Sequence, residues 1–596
     1  MPQESGGSKP AATIAELRVL DGPNLFFPRP AVQLTLDVPW YVAASEERVL
    51  ALAERLGVPG APGRSRPGPP GSDRRRRFAA RIAAHLARRL AEATRTHLGV
   101  RGRSGPDPAQ VVVAFPWRRR NAAENFATEV AGLMDGVPRS RRRPEALLAE
   151  AAHRLAEIEP GDPPSVTDPT IPVIAVTGTN GKTTTVRLLA HIARVAGLTA
   201  AYSCTDGVYR NEVLVEAGDY SGFAGAGKAL AQPGVEVAIL ETARGGILLR
   251  GAGAMHNDVA LVTNVSADHL GLRGIRTLDQ LADVKSTIVR ITRPEGWDVL
   301  NADDPRVLEM RRVATGRPWL FTIDPEHPAL RWALDQRGRA TTVIDGRIAI
   351  LARGRDPKPL VALEDVSLTI AGISTHNALN AMGAVSAALG AGMDERAVVK
   401  GLKTFMLDPD RNPGRTNLFE LGDRVLVVDY AHNEAGMRGL VEVCTGLRRP
   451  GSEVWLAFGT AGDRTDDILH GLAYIAARGA DHVAVAELHR YLRGRDREDL
   501  IRRLQAGIVD GSDGEAPVYP DEVTALRSML THAGPGDVVA ITALAQRPEI
   551  FDLLDREGAT RPTPRRVRQL VRRARPPGLE QRRSGDVRPT GRRRAG

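Results

Sequence analysis

The stretch Ile174-Ala175-Val176-Thr177-Gly178-Thr179-Asn180-Gly181-Lys182-Thr183-Thr184-Thr185 decides the fold of this chain. A β-branched apolar run turns at a glycine and enters a helical segment over residues 186–195. This is the pattern of a phosphate-binding loop. Backbone N–H groups at a helix N-terminus point at an anion, and the Lys182 ammonium adds a compact positive charge. Gly178, Thr179, Asn180, Gly181, Lys182, Thr183 and Thr184 are the candidate ATP contacts, with the Thr183 hydroxyl offered to Mg²⁺. The general form of such loops starts with a glycine where this chain has Val176, so the compact Gly-Thr-Asn-Gly-Lys-Thr-Thr form is the narrower signature.

Outward from the loop, apolar runs alternate with helical segments over residues 171–400, which predicts a mostly parallel sheet. Glu241 ends the apolar run 235–240 and His269 follows the run 259–265. Both therefore fall at carboxyl ends of strands, where open parallel sheets bind ligands. Lys285 sits on a predicted helix over 278–290. Asn377 and Asn380 are three apart and share one helix face, behind Ser374 or Thr375 as N-cap. A second α/β unit is predicted from about 413, with Asp429 at the end of the strand 424–428.

Several further segments follow in a fixed order: Glu241-Thr242-Ala243-Arg244-Gly245-Gly246, Asn264-Val265-Ser266-Ala267-Asp268-His269, Asp283-Val284-Lys285-Ser286, His376-Asn377-Ala378-Leu379-Asn380, Gly414-Arg415, and Asp429-Tyr430-Ala431-His432-Asn433. With the loop, they resemble the Mur ligase family of ATP-dependent amide ligases, over about residues 170–560. The closer resemblance is to the Mur-ligase-like half of cyanophycin synthetase, through Asp268-His269-Leu270-Gly271-Leu272, Tyr491-Leu492-Arg493-Gly494-Arg495 and the early run Val19-Leu20-Asp21-Gly22-Pro23-Asn24. The ATP-grasp domain that this enzyme carries between those parts has no room here.

The resemblance implies an ATP- and Mg²⁺-dependent ligase that activates a carboxylate as an acyl phosphate and joins it to an amine. It implies catalytic roles for Lys182, Glu241, His269, Lys285 and Arg415. Thr183, Glu241, His269 and a carbamylated Lys285 would hold Mg²⁺. Asn380 with His376 or Asn377 would face the adenine, Asp429 the ribose or γ-phosphate, and His432 would close on the nucleotide. Arg415 would reach the phosphates. Arg244, Arg464 and Arg493 are the candidate substrate contacts. Where the family usually has proline after Asn433, this chain has Glu434. With one phosphate loop, the chain is expected to make a single class of amide bond. The acceptor is expected to be peptide-like and anionic, because the helix around Arg81, Arg88 and Arg89 is basic.

These readings give a multidomain α/β protein. Residues 13–160 form a small N-terminal α+β domain, 170–410 a P-loop parallel-sheet ATPase domain, 411–560 a Rossmann-like C-terminal α/β domain, and 561–596 a basic disordered tail. The net charge of +10 is a property of that tail: thirteen arginines stand there against Glu580 and Asp586, leaving the body near neutral. A neutral body with 4% aromatic residues speaks against nucleic acid, though the tail suits acidic partners. No run is long and apolar enough to span a membrane. Two cysteines in 596 residues fit a reducing cytoplasm. The alternative reading is a pseudo-ligase that binds ATP and anchors a partner.

Overall fold

The computed structural model describes residues 9–60, 66–267 and 270–574. The chain forms two compact units. The first comprises Met1–Ile344, Ile348–Leu360 and Met382–Gly401; the second comprises Asp345–Arg347, Val361–Ala381 and Leu402–Gly596.

The first unit opens with a four-stranded antiparallel sheet ordered Thr13–Leu20, Ala31–Asp37, Gln110–Pro116, Arg101–Ser104. The helix Asp73–Ala93 lies against it, started by Ser72, whose hydroxyl accepts from the Arg75 N–H at 3.2 Å. Phe78, Ile82, Leu86 and Leu90, spaced at helical period, are all buried in one cluster. Its arginines satisfy local carbonyls: Arg81 donates to Pro59, Arg88 to Val100 and Arg89 to Leu56. The strands Thr13–Leu20 and Arg101–Ser104 and the helix Pro144–Ala156 carry no strong sequence pattern and emerge only from the structure.

Gly22 joins this part to the next. Its N–H donates to the Arg250 carbonyl at 2.9 Å, and a Cβ there would sit 1.8 Å from the Ala252 oxygen. The neighbouring Asp21 carboxylate, nearly buried, pairs with Arg120 and Arg250.

The central sheet is built on buried parallel strands. In space the order is Arg317–Phe321, Thr292–Asn301, Asn257–Val262, Val173–Thr177, Val237–Glu241, Ala200–Cys204. All five residues of Val173–Thr177 and of Val237–Glu241 are buried, as expected for strands covered on both faces. The chain runs from Val173–Thr177 out to Ala200–Cys204, returns to Val237–Glu241, then continues on the other side of the first strand. The order therefore reverses beside the phosphate loop, which is where such sheets bind ligands.

Asp298 is fully buried within this sheet. Burial pushes its carboxyl up to about 7, although the Thr292 hydroxyl at 2.6 Å and the Gly316 N–H at 2.8 Å both donate to it. The folded protein then holds this proton more tightly than the unfolded chain. Its stabilising contribution is full below the unfolded value near 4 and is lost as pH rises toward 7. We expect Asp298→Asn to gain stability relative to the wild type across that window, by up to roughly 4 kcal/mol at pH 8. Urea melts at several pH values check this; a wild-type-to-variant difference independent of pH would refute it.

The second unit holds a six-stranded sheet ordered Asn417–Leu421, Arg424–Asp429, Val538–Thr542, Val454–Phe458, His482–Ala486, Val518–Tyr519. Only the first pair is antiparallel; the remaining pairs are parallel. Separate clusters of apolar side chains cover its two faces. The start of the expected disordered tail is instead a helix, Pro564–Ala574. Leu570 and Val571 are buried in the core of this unit, and Arg566 donates to Glu420 at 2.7 Å. An arginine-rich segment can still fold when two apolar residues share its inner face. Residues 575–596 lie outside the described residues. Among the described residues no helix is long and apolar enough to cross a membrane.

Candidate nucleotide site

Val173–Thr177 ends at Gly178, and the helix Lys182–Val195 begins at Gly181, whose φ of 83° is left-handed. Gly178 has φ 155°, and a Cβ there would meet the Thr263 hydroxyl at 1.9 Å. Only glycine fits this close approach of the loop to the neighbouring strand end. That strand end also shapes the loop. Asn264 accepts from the Thr179 N–H through its carbonyl and from the Asn180 N–H through its side chain, each at 2.9 Å. The Thr263 hydroxyl donates to the Asn180 carbonyl at 2.7 Å.

Glu241 is 1% exposed and sits in register with Val176 on the adjacent strand. The Thr183 hydroxyl donates to its Oε2 at 2.8 Å, and the Thr205 hydroxyl to its Oε1 at 3.1 Å. A threonine hydroxyl and a carboxylate of this kind are the hard oxygen donors that Mg²⁺ prefers, so these residues fit the ion. Thr205 escaped the sequence reading; its only signal is its place directly after the strand Ala200–Cys204, beside the strand that ends in Glu241.

Lys182 Nζ donates to the Thr179 carbonyl at 2.8 Å. Lys285 is 3% exposed at the end of the helix Leu278–Lys285, shorter than the expected 278–290, and its Nζ donates to the Gly178 carbonyl. Two lysines thus meet one glycine loop, one from within it and one from a helix about a hundred residues further along the chain. His269, the remaining expected metal ligand, lies outside the described residues. Among the described residues no group of three or more His, Cys, Asp or Glu is placed to hold a metal. Arg244 starts the helix Arg244–Arg250 in the same unit.

The other candidates belong to the second unit. Asp429 Oδ2 accepts from the Thr416 N–H at 2.7 Å and from its hydroxyl at 2.8 Å, which fixes the turn after Arg415. The Arg415 guanidinium lies 4.2 Å from the Tyr430 ring centre, and its buried Nε has no hydrogen-bond partner among the described residues. His432 is held through Nδ1 to the Tyr430 carbonyl at 2.8 Å. Asn380 donates to the Asn377 side-chain oxygen at 3.1 Å, and the Ser374 hydroxyl accepts from the Asn377 N–H, so capping and face-sharing coexist. Desolvation lowers the His376 imidazole below its ordinary value, against the pull of Asp429. Glu434 starts the helix Glu434–Leu447 behind its N-cap, Asn433. Arg464 is 6% exposed. Arg493 donates to Asp463 at 2.5 Å, which compensates its charge.

Residues 176–388 match the Mur ligase middle domain, and residues 414–544 match the Mur ligase glutamate ligase domain. These two stretches are similar to the two ligase domains of Mur ligases. It is similar to cyanophycin synthetase of Synechocystis sp., with 38% identity over 422 residues, covering 71% of this chain and 46% of that protein. It is also similar to UDP-N-acetylmuramyl-tripeptide synthetase of Deinococcus radiodurans, at 28% identity, covering 74% of this chain and 85% of that protein. A solved bifunctional folylpolyglutamate synthase/dihydrofolate synthase from Yersinia pestis matches 64% of this chain and 89% of its own, at 18% identity and a TM-score of 0.48. The chain spans about half the length of the cyanophycin synthetases it matches.

Proposed function

We propose that the protein is an ATP-dependent ligase that joins an amine to a carboxylate of a peptide-like acceptor through an acyl phosphate. The observation that carries this reading is the Thr183–Glu241 hydrogen bond beside the glycine loop, at the point where strand order reverses. A carboxylate does not condense with an amine in neutral water without activation. In the first step a carboxylate oxygen attacks the γ-phosphorus, the bond to the β-phosphate oxygen breaks, and ADP leaves. In the second, the amine nitrogen attacks the acyl carbon, phosphate leaves, and the nitrogen loses a proton.

The first step brings two anions together, so positioning and charge dominate it. Lys182 and the loop N–H groups would hold the β- and γ-phosphates. Thr183 and Glu241 would hold Mg²⁺, with His269 and Lys285 as further ligands; the ion, when bound, neutralises charge on the phosphates. Asn380 with His376 or Asn377 takes the adenine role, Asp429 the ribose or γ-phosphate, His432 closes on the nucleotide and Arg415 reaches the phosphates, on the strength of the family resemblance. Arg244 is the candidate clamp for a substrate carboxylate. Arg464 and Arg493 are weaker candidates, the latter because of its Asp463 partner.

The test is a screen of amino acids against aspartate-containing peptides, reading ADP release and product mass. With an acceptor labelled with ¹⁸O in its carboxylate, one label should appear in the released phosphate. ADP release indifferent to every acceptor and amine pair would favour a pseudo-ligase, and product without ¹⁸O transfer would exclude the acyl phosphate.

A further inference from the structure

The N-terminal part of the first unit carries an open concavity, lined mostly by residues remote in sequence from the glycine loop. Its volume is about 1270 Å³, larger than the few hundred to about a thousand cubic ångströms of most small-molecule sites. Arg29, Arg95, Arg118 and Arg119 line it, and no Asp or Glu does among the described residues. These arginines come from three separate segments, and all four are exposed. None has a side-chain hydrogen bond or ion pair among the described residues, in a protein where most arginines do. Between them the wall is apolar, built around Trp117 and Phe126.

We propose that this cavity binds an acidic peptide with interspersed apolar side chains, and that this peptide is the acceptor of the ligase reaction. The acceptor role rests on the ligase reading; the binding itself does not. Separate unpaired guanidinium groups around an apolar wall suit several carboxylates spread along one chain, each met by a planar fork of donors. The arrangement suits a phosphate group less. The helix Arg120–Gly136 begins at this wall, but its first N–H groups are already taken: Arg120 donates to the Asp162 carbonyl at 2.9 Å and Ala122 to Pro160 at 3.1 Å. Nucleic acid is also disfavoured. Trp117 is 6% exposed with its Nε1 donating to the Leu20 carbonyl, and Phe126 packs edge-on against Phe115, so neither offers a free ring face for a base.

The experiment is calorimetric titration of the full chain, without nucleotide, using an acetylated pentapeptide alternating aspartate and phenylalanine. The lysine–phenylalanine counterpart, inorganic phosphate and a single-stranded thymidine oligonucleotide are titrated alongside. We expect one acidic peptide per chain, weakening with salt. Its affinity should fall at least about tenfold in the R29A/R95A/R118A/R119A variant, and less than about threefold in R331A/R353A/R355A/R478A, which removes the same charge from exposed positions elsewhere. No binding, equal losses in the two variants, or tighter binding of phosphate or the oligonucleotide would overturn the proposal. The two readings fail separately. Peptide binding at the rim without any stimulated ADP release keeps this site and sinks the ligase. Peptide-stimulated ADP release that is equal in wild type and rim variant keeps the ligase and overturns the anchor.

Discussion

Lys182→Ala is expected to abolish measurable ATP turnover while leaving the fold intact. The helix Lys182–Val195 starts at a glycine without a side-chain cap, so its N-terminal N–H groups and this ammonium are the positive features of the loop. The Nζ rests on the Thr179 carbonyl at 2.8 Å, a contact between two residues of one turn that an incoming phosphate would replace. Charge grows on the transferring phosphoryl group in the transition state, and a fixed cation aimed at it contributes more there than in the ground state. Removing one such donor costs on the order of a hundred- to a thousandfold in rate. The methylene chain is only partly buried, and it joins none of the core clusters, so thermal melting should barely move. ADP release at saturating nucleotide, beside a melting curve, checks both halves. Turnover near the wild-type rate would detach ligase chemistry from this loop.

Much of the geometry around the glycine loop was legible because its signals are local. Gly178 and Gly181 announce themselves by spacing, and the structure gives the reason for each: a clash with Thr263 at one and a left-handed φ at the other. Glu241 was legible from its place at the end of an apolar run. Thr205 was not, because what ties it to Glu241 is the pairing of Ala200–Cys204 with Val237–Glu241, a relation between strands thirty-odd residues apart that no periodicity encodes. The same limit hid the strand Arg101–Ser104, whose residues carry no apolar alternation and are ordered by their partner Gln110–Pro116. The helix Pro564–Ala574 was misread for a different reason. Its five arginines, Arg565, Arg566, Arg568, Arg572 and Arg573, mask two apolar residues, Leu570 and Val571, and composition counts charge while folding counts the inner face. The basic helix around Arg81 shows the converse, since its arginines are spent on carbonyls of Pro59, Val100 and Leu56. The unpaired arginines lie instead in connecting segments, where sequence patterning says least.

Lys285→Ala is expected to lower turnover at least about a hundredfold, since it removes a group fixed against the phosphate loop. The residue is 3% exposed, and its Nζ donates to the Gly178 carbonyl at the start of the glycine turn. Burial of a lysine here without a nearby role would be costly, because a charged ammonium loses its hydration. We propose that the working form is the carbamate. The ammonium first loses one proton; the neutral amine then attacks CO₂, forming one N–C bond and releasing a second proton, so that a positive group becomes a negative one. The nitrogen keeps one N–H, so the bond to Gly178 survives, while two new oxygens supply the hard donors that Mg²⁺ requires. An unmodified ammonium would instead leave a positive charge against the Gly178 carbonyl and bring no oxygen donor to the ion. The two forms make opposite predictions. If the carbamate operates, stripping CO₂ and bicarbonate lowers turnover and readdition restores it, wild-type protein takes up a ¹³C label that the variant lacks, and acetate or formate partly rescues Lys285→Ala. If the ammonium operates, turnover ignores bicarbonate, no label is retained, and small amines rather than small carboxylates rescue the variant.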